Sequence, residues 1–460
     1  MVQELPHLPP EVWLLLFRYL NTAEKHIVRL CCKDLKKLVD HPSLWKDYTV
    51  FLGSLVRYTS GFWDMLNQRK ITRVAVRHLQ PKDWRYLIQF LPSLSSIVCI
   101  RGRQRYTIKY LHYLSDFPDL QGFGIRNAAW DEPLLLQLQV ELLAERLTHL
   151  SICNIELPST KHFLNCVSQL VNLQYLLLHQ LQCEEMDMVK LVPCNLFHSL
   201  LLNLKKLKHL SWGMKARPLL GQLPENYFYP LDPEKPGAYG GPALTALELI
   251  NYPETALSAN ALMGLTSLKS LFIRYDCVSE SIPCRLQSWL STMPQLESLT
   301  IIGGNSLPYY TSTFPPHLKR LTLRVLICLS DLEAIADKLK ELEHLDMDQN
   351  HYSGSLCELL PTLFPQLRTL RIRFYREAPQ RDLLSLNALS RLERLELIVE
   401  RSYVLRDRNG HLWPTPALQE LIGELRQSSG NRSSSSESCL RRFSEVHLYV
   451  YDISPYCPVG

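Results

Sequence analysis

A chain of 460 residues with a net charge of +5, 46% hydrophobic and 21% charged residues, has ample apolar material for a core but too little excess charge to announce nucleic-acid binding. No run approaches the roughly 18 apolar residues of a membrane helix, and an acid and a proline stand where a secretory leader needs positive charge. The thirteen cysteines are scattered and odd in number, with no C-x-x-C spacing, which predicts reduced thiols in the cytoplasm or nucleus and neither a disulfide framework nor a metal site.

Residues 8 to 45 follow helical spacing. Pro9 or Pro10 with Glu11 opens a first helix in which Val12, Trp13, Leu16, Phe17 and Leu20 share a face. Asn21, with Glu24 three residues on, opens a second carrying Ala23, Ile27, Leu30 and Cys31. A third, short helix holds Leu35, Leu38 and Val39, and Pro42-Ser43-Leu44-Trp45 follows it. So small a core needs completing by a neighbouring domain or another protein.

From Ile71 onward the grammar changes to L-x-x-L-x-L. Thirteen copies begin at Ile71, Leu94, Leu120, Leu147, Leu173, Leu207, Leu244, Leu268, Leu296, Leu318, Leu342, Leu367 and Leu392. Most intervals fall between 22 and 28 residues, the unit length of a leucine-rich repeat, in which one short strand is followed by a returning segment. The first, fourth and sixth side chains point inward and those between them outward. Leu91-Pro92, Phe117-Pro118, Met293-Pro294 and Phe364-Pro365 lie just before strand starts, where proline ends the incoming helix. The asparagine expected two positions past the third apolar residue is read in register only at Asn350, which leaves the turn geometry open. Two stretched intervals place insertions near 180–205 and 214–243, the second rich in Pro, Gly and Tyr with Tyr227, Tyr229 and Tyr239, and both are expected as edge loops.

Beyond Leu397 comes a break (401–439) with a helix around Pro416 to Arg426 and a serine-rich tract, Ser428 to Ser438, of disordered composition. Val446, Leu448 and Val450 then alternate as a final capping strand within 440–460. The sequon at Asn431 and the cysteine at Cys457, flanked by proline, carry no weight.

Leu8-Pro9-Pro10-Glu11-Val12, Phe17, Tyr19-Leu20, Cys32-Lys33, Leu38 and Leu44-Trp45 resemble the F-box. With the repeats, the order is similar to the F-box/leucine-rich-repeat class of ubiquitin-ligase substrate receptors. The resemblance implies an α/β chain: a three-helix F-box (1–50), a connecting segment (51–70) and a solenoid (71–400) with a curved parallel sheet inside and helices outside. It implies a Skp-type adaptor as partner and, through it, a cullin/RING ligase, with adaptor contacts at Leu8, Pro9, Glu11, Val12, Phe17, Leu20, Cys32 and Trp45. Leu35 departs from the aromatic usual at its position. The other reading is a repeat scaffold or inhibitor that binds a protein without ubiquitination.

The register also names a candidate substrate face. Outward arginines are Arg73, Arg77 and Arg126 in one group and Arg274, Arg320, Arg324, Arg371 and Arg373 in another, with Tyr175 and Phe272 as aromatic anchors. The second group either receives an acidic or phosphorylated protein segment or is paired off by Asp346, Asp348 and Glu396, acids that also argue against nucleic acid. His149, His209 and His344 are too far apart along the stack to share a metal. With no phosphate-cradling glycine loop, H-E-x-x-H or G-x-S-x-G, the sequence predicts a non-catalytic chain without cofactor, metal or membrane contact.

Overall fold

A computed structural model describes residues 8–20, 22–77, 79, 81–100, 111–129, 143–157, 159–183, 192–214, 222–235, 237–276, 284–349, 356–374, 381–399, 404–406, 412–428 and 445–450. The chain divides into two compact units, the first holding most of residues 1–187 and the second most of 188–458.

The first unit opens with three helices, α1 (Pro10–Arg18), α2 (Thr22–Cys31) and α3 (Lys33–Val39). Pro10 starts α1 because a first-turn residue needs no N–H partner, and the Cys32 thiol caps α3 by accepting the Leu35 N–H. A run of parallel strands follows: β1 (Thr49–Leu52), β2 (Arg73–Arg77), β3 (Ser96–Ile100), β4 (Gly122–Ala129), β5 (His149–Leu157) and β6 (Tyr175–Cys183). Helix α4 (Ser60–Gln68) returns from β1 to β2 and α5 (Pro81–Phe90) from β2 to β3.

The second unit continues the plan with β7 (His209–Gly213), β8 (Ala246–Tyr252), β9 (Ser270–Tyr275), β10 (Ser298–Ile302), β11 (Arg320–Arg324), β12 (His344–Gln349), β13 (Thr369–Phe374) and β14 (Arg394–Val399). These pair in parallel in chain order, and Glu445–Val450 (β17) pairs in parallel with β14. Between them lie a small antiparallel pair, β15 (Val404–Arg406) with β16 (Leu412–Pro414), and a helix at Pro416–Ser428. The serine-rich segment 429–444 and the sequon lie outside the described residues.

The repeat arithmetic holds at every copy: β2 to β14 each begin two residues after the first leucine of the motif. All thirteen first-position side chains are at most 4% exposed, and the fourth- and sixth-position residues are buried beside them. Parallel strands covered by returning segments bury one face through such a ladder, so the apolar period of two inside a longer repeat suffices to specify the fold.

Three features differ from the sequence expectation. Strand β1 straddles the boundary between the residues read as F-box (1–50) and the segment read as a connector (51–70): Thr49 aligns with Arg73, which puts Asp47 where every later repeat has leucine or isoleucine and hides the motif. The turn asparagine is not at Asn350, which lies outside the described residues and stands three positions, not two, beyond Met347. Asn127, Asn154 and Asn251, with Gln180, hold the position two beyond the third apolar residue at φ of 51–56°, and Gly303 holds it at 69°. Asparagine and glycine tolerate this left-handed conformation best, and the Asn154 amide donates to Asn127 Oδ1 at 2.9 Å. The insertion at 214–243 is not a free edge loop. Tyr227 and Phe228 are fully buried, packed on Phe197 with ring centroids 4.5 and 5.3 Å away, and the Tyr227 hydroxyl donates to Val192 O at 3.0 Å.

Candidate interaction surfaces

In the N-terminal helices the polar work is internal. Asp40, 1% exposed at the end of α3, accepts Arg29 Nε at 3.0 Å and Arg69 Nε and Nη2 at 2.9 and 2.6 Å. Arg69 follows α4, and its guanidinium lies 3.8 Å over the Trp45 ring while Trp45 Nε1 donates to Val39 O at 2.6 Å. Burial pulls the Arg69 guanidinium below its ordinary pKa, and the hydrogen bonds it donates to Asp40 oppose that. Lys25, also buried, donates to Tyr48 Oη at 3.0 Å and faces the Trp45 and Tyr48 rings. This network fastens the helices to the segment that leads into the repeats.

The apolar residues of α1 and α2 do the opposite. Leu8, Val12, Leu15, Leu16 and Tyr19, spaced by three and four residues, are exposed along α1, and Ile27 and Leu30 of α2 are 64% and 70% exposed. Of the sequence-predicted contact residues, Leu8, Pro9, Glu11 and Val12 lie on the surface, and Leu20 and Cys32 are half-buried. Phe17 and Trp45 are not available as contacts: at 3% and 5% exposure they form the module's own core, Phe17 against Trp13 and Trp45 under Arg69. Sequence reasoning put Leu16 on one face with Val12 and Phe17, and Ile27 and Leu30 on the second helix, but named none of Leu16, Ile27 and Leu30 as a contact. The missed signal was an apolar arc too wide for a helix with one partner.

On the outward face of β9 to β14 three of the five candidate arginines, Arg324, Arg371 and Arg373, meet acids. Arg371 bridges Asp346 at 3.6 Å and Glu396 at 3.0 Å, Arg373 meets Asp348 at 3.1 Å, Arg324 meets Asp346 at 3.7 Å and Arg394 meets Glu396 at 2.6 Å. Strand register puts Asp346, Arg371 and Glu396 side by side, so opposite charges alternate across neighbouring strands. Burial raises the Asp346 carboxyl against the pull of Arg324 and Arg371. Arg320 stays exposed at the rim of a 290 Å³ concavity lined by Ser298, Thr322, His344, Thr369 and the Asp346–Arg371–Glu396 trio. Burial lowers the Arg274 guanidinium, and Phe272 is half-buried between Glu248 and Thr300.

The histidines are separate. His149 stacks on Tyr175 with centroids 4.2 Å apart, His209 meets Glu248 at 3.0 Å, and burial followed by Arg320 lowers His344. Among the described residues no three His, Cys, Asp or Glu side chains group as a metal site, and no helix is long and apolar enough to cross a membrane.

Residues 5–50 match the family model described as F-box-like. No curated protein matches the chain. Similar solved structures include an internalin, InlF, from Listeria monocytogenes, 16% identical over 67% of this chain and 82% of that one with a TM-score of 0.33. Another is the leucine-rich repeat-containing protein LegL7 from Legionella pneumophila, 13% identical over 72% of this chain and 99% of that one with a TM-score of 0.40.

Proposed function

We propose, from the premise that this chain is an F-box-like module followed by a leucine-rich-repeat solenoid, that it is the substrate-recognition subunit of a Skp/cullin/F-box-type ubiquitin ligase. In this reading the F-box holds a Skp-type adaptor, the repeats hold a target protein, and the recruited partners supply the chemistry in the cytoplasm or nucleus. The chain contributes proximity: a target tethered beside a conjugating enzyme reacts at raised effective concentration.

The observation that carries the proposal is the exposed apolar surface of α1 and α2 inside the segment matched as F-box-like. Leucine and isoleucine side chains left in water on a short helix cost free energy unless a partner covers them, and covering a leucine returns about 1.5–3 kcal/mol. At the start of α1, exposed Glu11 adds a polar group and exposed Pro9 fixes the chain's entry into the helix.

Co-purification with a Skp-type adaptor tests it. Wild type is expected to bind, whereas Ile27→Asp/Leu30→Asp and Leu8→Ala/Pro9→Ala/Val12→Ala lose binding while keeping the circular dichroism spectrum of the parent, because the substituted side chains are surface groups. If neither wild type nor variants bind, the helices serve as an end cap, and the chain is a repeat scaffold or inhibitor acting without ubiquitination.

A further inference from the structure

The two units present opposite kinds of outward strand face. In the second, the central row reads Phe272, Thr300, Thr322, Asp346, Arg371, Glu396 from β9 to β14, and its charges are spent on one another. In the first, the corresponding row from β1 to β6 reads Phe51, Ala75, Val98, Gly124, Ser151, Leu177, without an ionisable side chain. The row on one side reads Thr49, Arg73, Ser96, Gly122, His149, Tyr175; the row on the other, from β2, reads Arg77, Ile100, Arg126, Cys153, His179. No aspartate or glutamate occupies any of these register positions, whereas arginine flanks the apolar row on both sides at β2.

The relief of this face suits an extended chain. Phe51 is 49% exposed at one end with the Arg77 guanidinium 5.1 Å over its ring, and the stacked His149 and Tyr175 stand toward the other. Between them β4 presents glycine at two outward positions before Arg126: a Cβ at 122 would meet Ser96 Oγ at 3.0 Å and one at 124 the Val98 methyls at 3.2 Å, so this part of the strand is a low point bounded by its neighbours. Six strands at about 4.8 Å spacing span about 24 Å, which about seven extended residues cover at about 3.3 Å each.

We infer that the outward face of β1 to β6 is the docking surface for a target, and that its occupant is an extended segment of a partner protein in which aliphatic or aromatic residues are interleaved with aspartate or glutamate. Apolar side chains lie against Phe51, Val98 and Leu177, the apolar members of the row that keep exposed surface while Ala75 and Gly124 are buried, and carboxylates reach Arg73 and Arg77 at its flanks. In the second unit Arg324, Arg371, Arg373 and Arg394 are already paired with acids, so the first unit is the better acid receptor. The inference rests on the receptor reading for its biological sense, but the contact itself requires no adaptor.

The test is selection of a randomised peptide library displayed on phage against the full chain alone, followed by fluorescence anisotropy with the enriched peptides after labelling. Enriched sequences are expected to pair Asp or Glu with Leu, Ile or Phe, and to bind more weakly as salt rises. Charge reversal in Arg77→Glu, or Phe51→Ser, weakens them by at least about tenfold, which corresponds to about 1.4 kcal/mol, while Arg320→Ala on the second unit leaves them unchanged. Both substituted groups are surface side chains, and circular dichroism confirms that the variants stay folded. Enrichment of basic peptides, no enrichment, binding only by peptides bearing phosphoserine in place of the acid, or loss on Arg320→Ala but not on Arg77→Glu overturns the inference. Because no adaptor is present, failure here leaves the ligase reading to the co-purification, and failure there leaves this result intact.

Discussion

Asp40 is the residue on which the N-terminal helices are most sensitive. Its carboxylate is removed from water and takes hydrogen bonds from two guanidiniums, one on α2 and one beyond α4. Replacing it with alanine leaves Arg69 buried against Trp45 without its counter-charge, and breaking one side of a buried pair costs about 3–5 kcal/mol. Asp40→Ala is therefore expected to lower the urea midpoint of the first unit markedly, whereas Asp34→Ala, whose partner Lys37 is as exposed as itself at 3.8 Å, is expected to change it little. Equal midpoints for the two variants would show that the Asp40 network contributes no more than a surface pair. His344 makes a second residue-scale prediction. Burial and then Arg320 hold its imidazole below the ordinary 6.5, so the folded chain resists the proton that the unfolded chain accepts. The neutral imidazole's stability is complete above that ordinary value and declines as pH falls through it toward the folded one. His344→Gln is expected to flatten this part of the pH–stability curve; an unchanged slope would assign the dependence elsewhere.

At the scale of elements, the insertion after β7 behaves as core. Phe228 is fully buried with its ring edge-on to Phe197 at 5.3 Å, Tyr229 stacks on Tyr239 at 4.7 Å, and Leu223 N donates to Ala256 O at 2.8 Å. Phe228→Ala is expected to destabilise the second unit by about 3–5 kcal/mol, the range for emptying a buried aromatic site, measured by chemical denaturation. A loop merely resting on the surface would lose less than about 1 kcal/mol, since surface substitutions stay within about 0.5 kcal/mol. Pro and Gly content signalled a departure from the repeat at this insertion but not its burial, because burial depends on Phe197 and Trp212 in neighbouring elements. The repeats themselves were legible in the sequence to the residue, since an inward leucine ladder leaves one register. Strand β1 was not, because Asp47 replaces the first leucine and the strand is recognised only by its pairing with β2. The F-box segment was legible as helices and as a resemblance. Its interior was not separable from its contact surface, as Phe17 and Trp45 against Ile27 and Leu30 make plain: all four are apolar at helical or turn positions, and only packing against α3 and Arg69 sorts them.

At the scale of the molecule, the first unit joins the three helices and the opening repeats into one body through Arg69. The F-box-like segment ends near residue 50, but Arg69, which shares Asp40 with Arg29 and covers Trp45, comes nineteen positions later, on the far side of β1 and α4. A fragment of residues 1–50 thus keeps Arg29 but loses the second counter-charge of its buried acid and the lid of its buried tryptophan, while retaining every exposed apolar side chain of α1 and α2. So small a core is marginal even when intact, and the fragment alone is expected to show weak helicity and no cooperative thermal transition by circular dichroism. Saturating Skp-type adaptor is expected to restore the helices, because a ligand that binds only the folded form adds about 2.7 kcal/mol at a hundredfold excess over its Kd. In the full chain, where Arg69 is present, the helices are expected to be folded before any partner arrives. A cooperative transition in the isolated fragment would mean that the helices need neither Arg69 nor adaptor, and that the link to the repeats aligns the module without stabilising it. Its absence in the fragment, with recovery in the full chain, makes the Asp40–Arg69 contact the joint through which a grip on α1 and α2 is transmitted to the body that carries the strand face of β1 to β6.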